Sequence, residues 1–443
     1  MTAARSLVLA ATSLGFGVVQ LDVSVVNVAV EPIHADLGGS VGDLQWVVNA
    51  YTVLFAALIL SAGALGDRVG ARRVFVAGFA LFTVASAACG LAPSIGTLIA
   101  FRAVQGIGAA ALVPSSLSVL NHAYPDAEDR ARAVGLWAAG ASVGLSGGPL
   151  LGGVLTSELS WRWIFFINLP LGLLGIVLTL RFATETTRSP DRSLDPPGQL
   201  LGIVALAALA AAMIEGGRQG FSAGLVLAGF VLAAVCGVAF VLAESRQRRP
   251  MLPLGLFASR TFSASSAIGL VVNIAFYGLI FVLSLDFQGV HRFSALQTGL
   301  AFAPMTGVVL AANLVSGRLC ARFGTRTVLA SAAVVMAAAL AGLEIVDAST
   351  PYPSIVAQLV ALGAALGIIV PAMTSALLGT VDADRSGVAS GTLNTARQTG
   401  SVVGVALFGS LFAAGGIGGL HALLVVAIGL AVITGGLALA VEA

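Results

Sequence analysis

Long apolar runs, separated by short polar or glycine-bearing stretches, recur from one end of the chain to the other. A helix needs roughly 20 apolar residues to cross the hydrocarbon core of a bilayer. Runs of that order occupy residues 7–30, 44–65, 74–91, 97–120, 134–156, 163–180, 200–214, 225–242, 262–287, 296–315, 328–346, 355–378, 391–413 and 422–441. They predict about fourteen spanning helices and an all-α integral membrane fold. The first run continues past Val18 to Val30 without a small-residue cleavage site, so it reads as a span and not a signal peptide.

Charge then supplies orientation. With a cytoplasmic N-terminus, alternate loops place Arg68, Arg72, Arg73, Arg130, Arg132, Arg181, Arg188, Arg192, Arg246, Arg248, Arg249, Arg260, Arg318, Arg322, Arg326 and Arg385 inside. Only Arg162, Arg218 and Arg292 fall outside. This asymmetry satisfies the positive-inside rule and supports the helix count, because one missed span would scramble the alternation. A multi-pass protein of the cell membrane with both termini cytoplasmic is expected.

The chain also repeats itself. GALGDRVGARRV at 63–74 and GRLCARFGTRTV at 317–328 agree in register at Gly, Leu, Arg, Gly, Arg and Val. Repeated halves around a midplane site are a common plan of secondary transporters. The expected division is a six-helix bundle over 1–183, linkers with two inserted helices over 184–253, and a second six-helix bundle over 254–443.

Composition removes the other classes. The chain is 58% hydrophobic and 9% charged, with a mean hydropathy of +1.00, more apolar surface than a soluble globule of this length can hide. A net charge of +2 does not argue for nucleic acid. Cys89, Cys236 and Cys320 lie far apart in apolar runs and suggest neither disulfide nor metal site. There is no phosphate-binding loop and no cluster of acids, histidines or cysteines at membrane depth, so no enzyme, no cofactor and no metal are expected. An ion gradient must drive any uphill transport.

Several motifs resemble the major facilitator superfamily, and within it the fourteen-helix drug:proton antiporter subgroup. The 63–74 loop carries Asp67 and Arg68 of its loop signature, with Ala71 where a basic residue is common. The fourth run carries Leu98, Arg102, Gln105, Gly106, Gly108, Ala109 and Ala110; the fifth carries Gly135, Gly144, Gly148, Pro149, Gly152 and Gly153, the antiporter signature. Leu21-Asp22 through Asn27 and Ala29, Trp161-Arg162-Trp163 with Asn168-Leu169-Pro170, and Asn394 to Gln398 match the subgroup. The resemblance implies two six-helix bundles plus two central helices, alternating access, and proton-coupled export of small amphipathic compounds such as drugs or antibiotics. Lipid or natural-product export is the alternative, then uptake. It further implies that Asp67, with Arg68, Arg72 and Arg73, latches the cytoplasmic side in the outward-facing state. The alternative is that these arginines only set topology.

Residue chemistry singles out Asp22. A carboxylate inside a span costs roughly 2.5–3.5 kcal/mol on insertion scales, which makes it a functional candidate. Arg102, a lone cation in the fourth run, is its natural partner. The expected role is proton uptake from outside and release inside, in competition with cargo; a purely structural pair is the alternative. Gly144, Gly148 and Gly152 recur at i+4 and are expected to pack closely against a helix of the other half. Asn27, Gln45, Trp46, Asn49, Tyr51, Asn273, Tyr277, Asn313, Asn394 and Gln398 are candidates to line a polar-aromatic cavity, or else bond helix to helix. Asp286 is a second candidate near the cargo route, with interfacial solvation as the alternative; Glu31 is expected at the external interface. Arg397, near the start of the thirteenth run, is expected to reach the cytoplasmic interface, and no role falls to His34, His122, His291 or His421. The lack of extra acids in the later helices favours monovalent cationic, zwitterionic or neutral cargo, carried by a monomer.

Overall fold

A computed structural model describes residues 3–188, 195–247, 250, 252–347, 349–382 and 385–442. Arg192, Arg248 and Arg249 of the orientation argument lie outside them. The described residues contain no strand, and fourteen helices among them are long and apolar enough to cross a membrane. They are α1 (Ala3–Leu37), α2 (Val41–Val69), α3 (Ala71–Gly90), α4 (Ile95–Ala123), α5 (Ala127–Glu158) and α6 (Trp163–Phe182). Then come α7 (Pro196–Gln219), α8 (Gly224–Arg246), α9 (Arg260–Leu285, prolonged by a π turn over Asp286–Val290) and α10 (Ala295–Phe323). The last four are α11 (Thr325–Gly342), α12 (Val356–Leu378), α13 (Ser386–Gly415) and α14 (Ile417–Ala438).

The apolar runs find the helices but stop short of their ends. The first helix runs on through Glu31 and Pro32, α7 is a full 24-residue helix, and α13 begins at Ser386 instead of Gly391. Polar residues at the interface continue a helix whose donors are capped and solvated. Ser40, Ser94 and Ser294 supply such caps, each closing a capping box with Asp43, Thr97 or Gln297.

Helix pairing follows one rule twice. In the first six helices α1 packs on α5, α2 on α4, and α3 on α4 and α6. In the last six α9 packs on α13, α10 on α12, and α11 on α12 and α14. The matched turns carry the same device: Gly70 (φ 108°) and Gly324 (φ 80°) each end one helix and begin the next in a backbone region that disfavours side chains. Between the halves α5 meets α10 and α2 meets α13. The inserted α7 pairs with α8 and also lies on α2 and α13. Ser410 Oγ donates to Met213 O at 2.8 Å, and Gln199 Nε2 to Ala57 O at 3.2 Å. Only 11% of the most apolar stretch of α8 is buried against 83% for α9, which places α8 at the periphery and α9 in the core.

Hydrogen bonds between the halves gather at the helix ends remote from the arginine loops. Gln45 Nε2 donates to Val405 O (2.9 Å) and Ala406 O (2.7 Å). Ser284 Oγ donates to Asn27 O (2.5 Å), Gln288 Nε2 to Val28 O (3.1 Å), and Leu296 N to Ser157 Oγ (3.0 Å).

Candidate functional site

Asp22 sits on α1 with no exposed surface, facing α4 and α6. Arg102 Nη1 donates to its Oδ2 at 2.5 Å; Gln105 Nε2 (2.8 Å) and Asn168 Nδ2 (3.2 Å) donate to its Oδ1. Arg102, equally buried, also donates to Gln105 Oε1 (2.7 Å) and Val47 O (3.0 Å). Its guanidinium lies 4.3 Å from the centre of the Tyr51 ring, a favourable cation–π geometry. Ser86 Oγ accepts from Gln105 (2.8 Å) and Asn168 (3.3 Å) and donates to Phe82 O (2.7 Å). Both carboxylate oxygens are therefore used, and a charge buried this way is tolerable because every side of it is answered.

The sequence singled out Asp22 and Arg102, and the structure joins them. Gln105 stood in a quoted motif without a role, although an amide three residues after Arg102 shares its helix face. Ser86 had no sequence signal: one serine in an apolar run looks like any other.

The arginine loop is anchored inside its own half. Arg72 Nη2 donates to Leu180 O (2.7 Å), and Arg73 Nε lies 3.6 Å from Glu185 Oε2. The amides of Ala71 and Arg72 donate to Thr186 Oγ1 (2.8 Å) and Glu185 Oε1 (3.0 Å). Asp67 is half-buried at the end of α2 and Arg68 is exposed. Glu185 and Thr186 were not foreseen, because their positions lie beyond the end of a span.

The glycine stripe of α5 corrects an expectation. A Cβ on Gly144 would overlap Gly17 O, one on Gly148 would overlap the Ser24 side chain, and one on Gly152 would stand 2.7 Å from Val25 Cγ2. The stripe thus abuts α1 of the same half. Pro149 and Gly153, on the adjoining face, meet Gly299 and Ala295 of α10 across the halves. Spacing defines a packing face but not its partner. Gly135 has open space around it. Gly400 and Gly404 of α13 approach Leu270 O and Ile274 O of α9 in the same manner.

Between the halves lies a narrow cleft lined by Ser24, Asn27, Pro149, Phe276, Tyr277 and Thr306, among others. Its unoccupied space, part of it open to solvent, is roughly 350 Å³. Of the proposed cavity residues, Asn27 and Tyr277 line this cleft. Gln45 instead ties α2 to α13, and Asn313 Nδ2 donates to Ser142 Oγ at 3.3 Å across the α5–α10 seam. Trp46 packs beside Val53, Ala210 and Val402. Asn273 Nδ2 and Asn394 Nδ2 donate to carbonyls four residues back. Asn49, with both side-chain polar atoms unpartnered, and Gln398 are buried.

Three other expectations change. Asp286 is wholly buried rather than solvated at the interface, with His291 Nδ1 3.2 Å from its Oδ2, and neither of its oxygens makes a hydrogen bond. His421 Nδ1 likewise lies 2.7 Å from Glu344 Oε2. Arg397 stands near the middle of α13, because that helix begins earlier than its apolar run. Glu31 is half-buried. Among the described residues no three His, Cys, Asp or Glu side chains gather as a metal site.

The model of the Major Facilitator Superfamily matches residues 12–405 and again 265–442. The chain belongs to the major facilitator superfamily. Its relatives within that superfamily include the methylenomycin A resistance protein of Streptomyces coelicolor, 39% identical over 90% of this chain and 84% of the relative. Multidrug resistance protein Stp of Mycobacterium tuberculosis is 37% identical over 94% and 77%, and the puromycin resistance protein of Streptomyces alboniger 35% over 89% and 79%. Two solved major facilitator structures share the fold. The human organic anion transporter MFSD10 has a TM-score of 0.71 at 17% identity, covering 99% of this chain and 100% of its own. A bacterial homologue of the lysosomal transporter Spinster, inward-facing and unoccupied, gives 0.68 at 18%, covering 99% and 97%. This major facilitator protein is therefore a multi-pass membrane transporter and not an enzyme, and its relatives confer drug and antibiotic resistance.

Proposed function

We propose that the protein exports small amphipathic organic compounds, antibiotics among them, in exchange for protons, by alternating access. The observation that carries this reading is the placement of α1. On one side it holds Asp22, locked to Arg102, Gln105 and Asn168; on the other it presents Ser24 and Asn27 to the cleft. Deprotonated Asp22 keeps α1 clamped to α4 and α6. Protonation removes the charge that Arg102 answers and loosens the clamp. Because the glycine stripe fastens α1 to α5, and Pro149 and Gly153 of α5 abut α10, a shift of α1 is passed to the seam between the halves. Cargo and proton thus compete through one helix, not for one side chain: Asp22 does not line the cleft. In the outward-facing state Asp67 and the Arg68–Arg73 loop close the arginine-bearing face, which we assign to the cytoplasm together with both termini. The working unit is a monomer. Inward proton flow supplies about 2.3 kcal/mol per charge per 100 mV.

The test is cargo-induced proton movement in energised inside-out vesicles, wild type against Asp22→Asn, across antibiotics and lipophilic ions. Proton release on adding one compound, lost in the variant, is expected. Release that survives the substitution removes Asp22 from the proton path. Silence to every compound, with intact folding, turns the reading towards lipid or metabolite export.

A further inference from the structure

Inside the second half stands a cation with no ion-pair partner among the described residues. Arg397 lies near the middle of α13 (Ser386–Gly415), too deep to belong to the interface. Its stem passes Gly269 of α9, where an added Cβ would stand 3.2 Å from Arg397 Cγ. Arg397 is not itself in the lining of the cleft; Tyr277, about two turns further along α9 than Gly269, is. The side chain is half-buried, and its Nε is sealed with no hydrogen-bond partner. Thr395 Oγ1, two residues before it, and Gln398 Oε1, one residue after it, are buried and unpartnered as well.

No carboxylate among the described residues pairs with Arg397. Asp22 is committed to Arg102 and Asp286 adjoins His291. The lining of the cleft contains no acid. An uncompensated guanidinium at membrane depth is expensive to hold, and positions of this kind mark substrate pathways. The planar fork of arginine matches a carboxylate in two parallel hydrogen bonds, stronger still in a site with little water.

We propose that Arg397 recognises the charge of the cargo, and that this exporter carries amphipathic organic anions. The carboxylate, or a similar delocalised oxyanion, sits on the Arg397 guanidinium with help from the Tyr277 hydroxyl. The apolar body lies along Phe276, Ile280 and Val309 of the cleft wall. This replaces the expectation of cationic, zwitterionic or neutral cargo, and it rests on the export reading above. The negative charge that Arg397 lacks arrives with the cargo and leaves with it.

The experiment uses the purified full-length protein in proteoliposomes and three compounds that share one aromatic body and end in a carboxylate, a primary amide or an amine. For the wild type, the KM of the carboxylate is expected to be lower than that of the amide by about tenfold or more. In Arg397→Gln that ratio falls towards one, and Arg397→Lys keeps an intermediate value. A wild type that prefers the amide or the amine overturns the proposal, and this comparison needs no variant to fold. An unchanged ratio in Arg397→Gln overturns it too. Transport of none of the three, nor of any antibiotic in the vesicle panel, overturns the export reading itself and this inference with it.

Discussion

The two six-helix halves pair their helices alike and treat charge in opposite ways. In the first half the buried Arg102 has a carboxylate, an amide oxygen, a backbone carbonyl and an aromatic face around it. In the second, Arg397 has an unpartnered Nε and no acid. A shared fold therefore fixes which helices touch, while the polar residues at those contacts decide what each half does. The filled network suits a switch that the protein keeps for itself. The unfilled one suits a visitor.

The comparison can be broken most forcefully at Arg102. Arg102→Leu strands Asp22 as a buried, unpaired charge and should cost about 3–5 kcal/mol, read as a drop in the unfolding midpoint in detergent. Adding Asp22→Asn should recover much of that loss. Arg397→Leu should leave the midpoint equal to or above wild type, since it removes a charge that nothing in the resting protein answers. A loss as large as that of Arg102→Leu would mean that Arg397 is partnered after all, and the contrast between the halves would disappear.

Packing should respond in the same way in both halves. Gly148→Leu drives a side chain into Ser24 and Val25, and Gly404→Leu drives one into Ile274 and its carbonyl. Each should cost about 1–3 kcal/mol or prevent folding. Gly135→Ala, with nothing nearby, should leave the midpoint unchanged. Unequal penalties for Gly148 and Gly404 would show that the matched crossings are not equivalent.

The smallest effect concerns the start of α5. The amides of Asp129 and Glu128 donate to Asp126 and hold its carboxyl below the usual 3.8. A depressed carboxylate stabilises the folded cap above its unfolded-state value, and that contribution is lost as pH falls through the lowered one. Protection of the Glu128 and Asp129 amides against hydrogen exchange should therefore persist at neutral pH and fade only in acid. Asp126→Asn should flatten that dependence.

Much of this was legible in the sequence. Fourteen apolar runs mark fourteen helices, because a bilayer imposes a minimum length that chance rarely meets. Asp22 and Arg102 announced each other as lone opposite charges in apolar surroundings. Partners drawn from unremarkable residues did not show: Ser86 and Glu185 become visible only when helices distant in sequence come together. Arg397 was misplaced because Ser386, Ser390, Asn394 and the glycines around them dilute the apolar run without ending the helix. His291 was passed over because the π turn that brings it back beside Asp286 leaves no periodic trace.

The helix α7 carries a consequence for where molecules dissolved in lipid can enter. It lies along the junction of α2 and α13 like a batten over a plank joint, bonded to both sides. No helix among the described residues covers the α5–α10 junction in that way. A hydrophobic compound diffusing sideways in the membrane thus meets one seam covered by a third helix and one held by the direct packing of α5 on α10. Lipid reaches the outer face of the α5–α10 seam directly, whereas at the α2–α13 seam it meets α7 first.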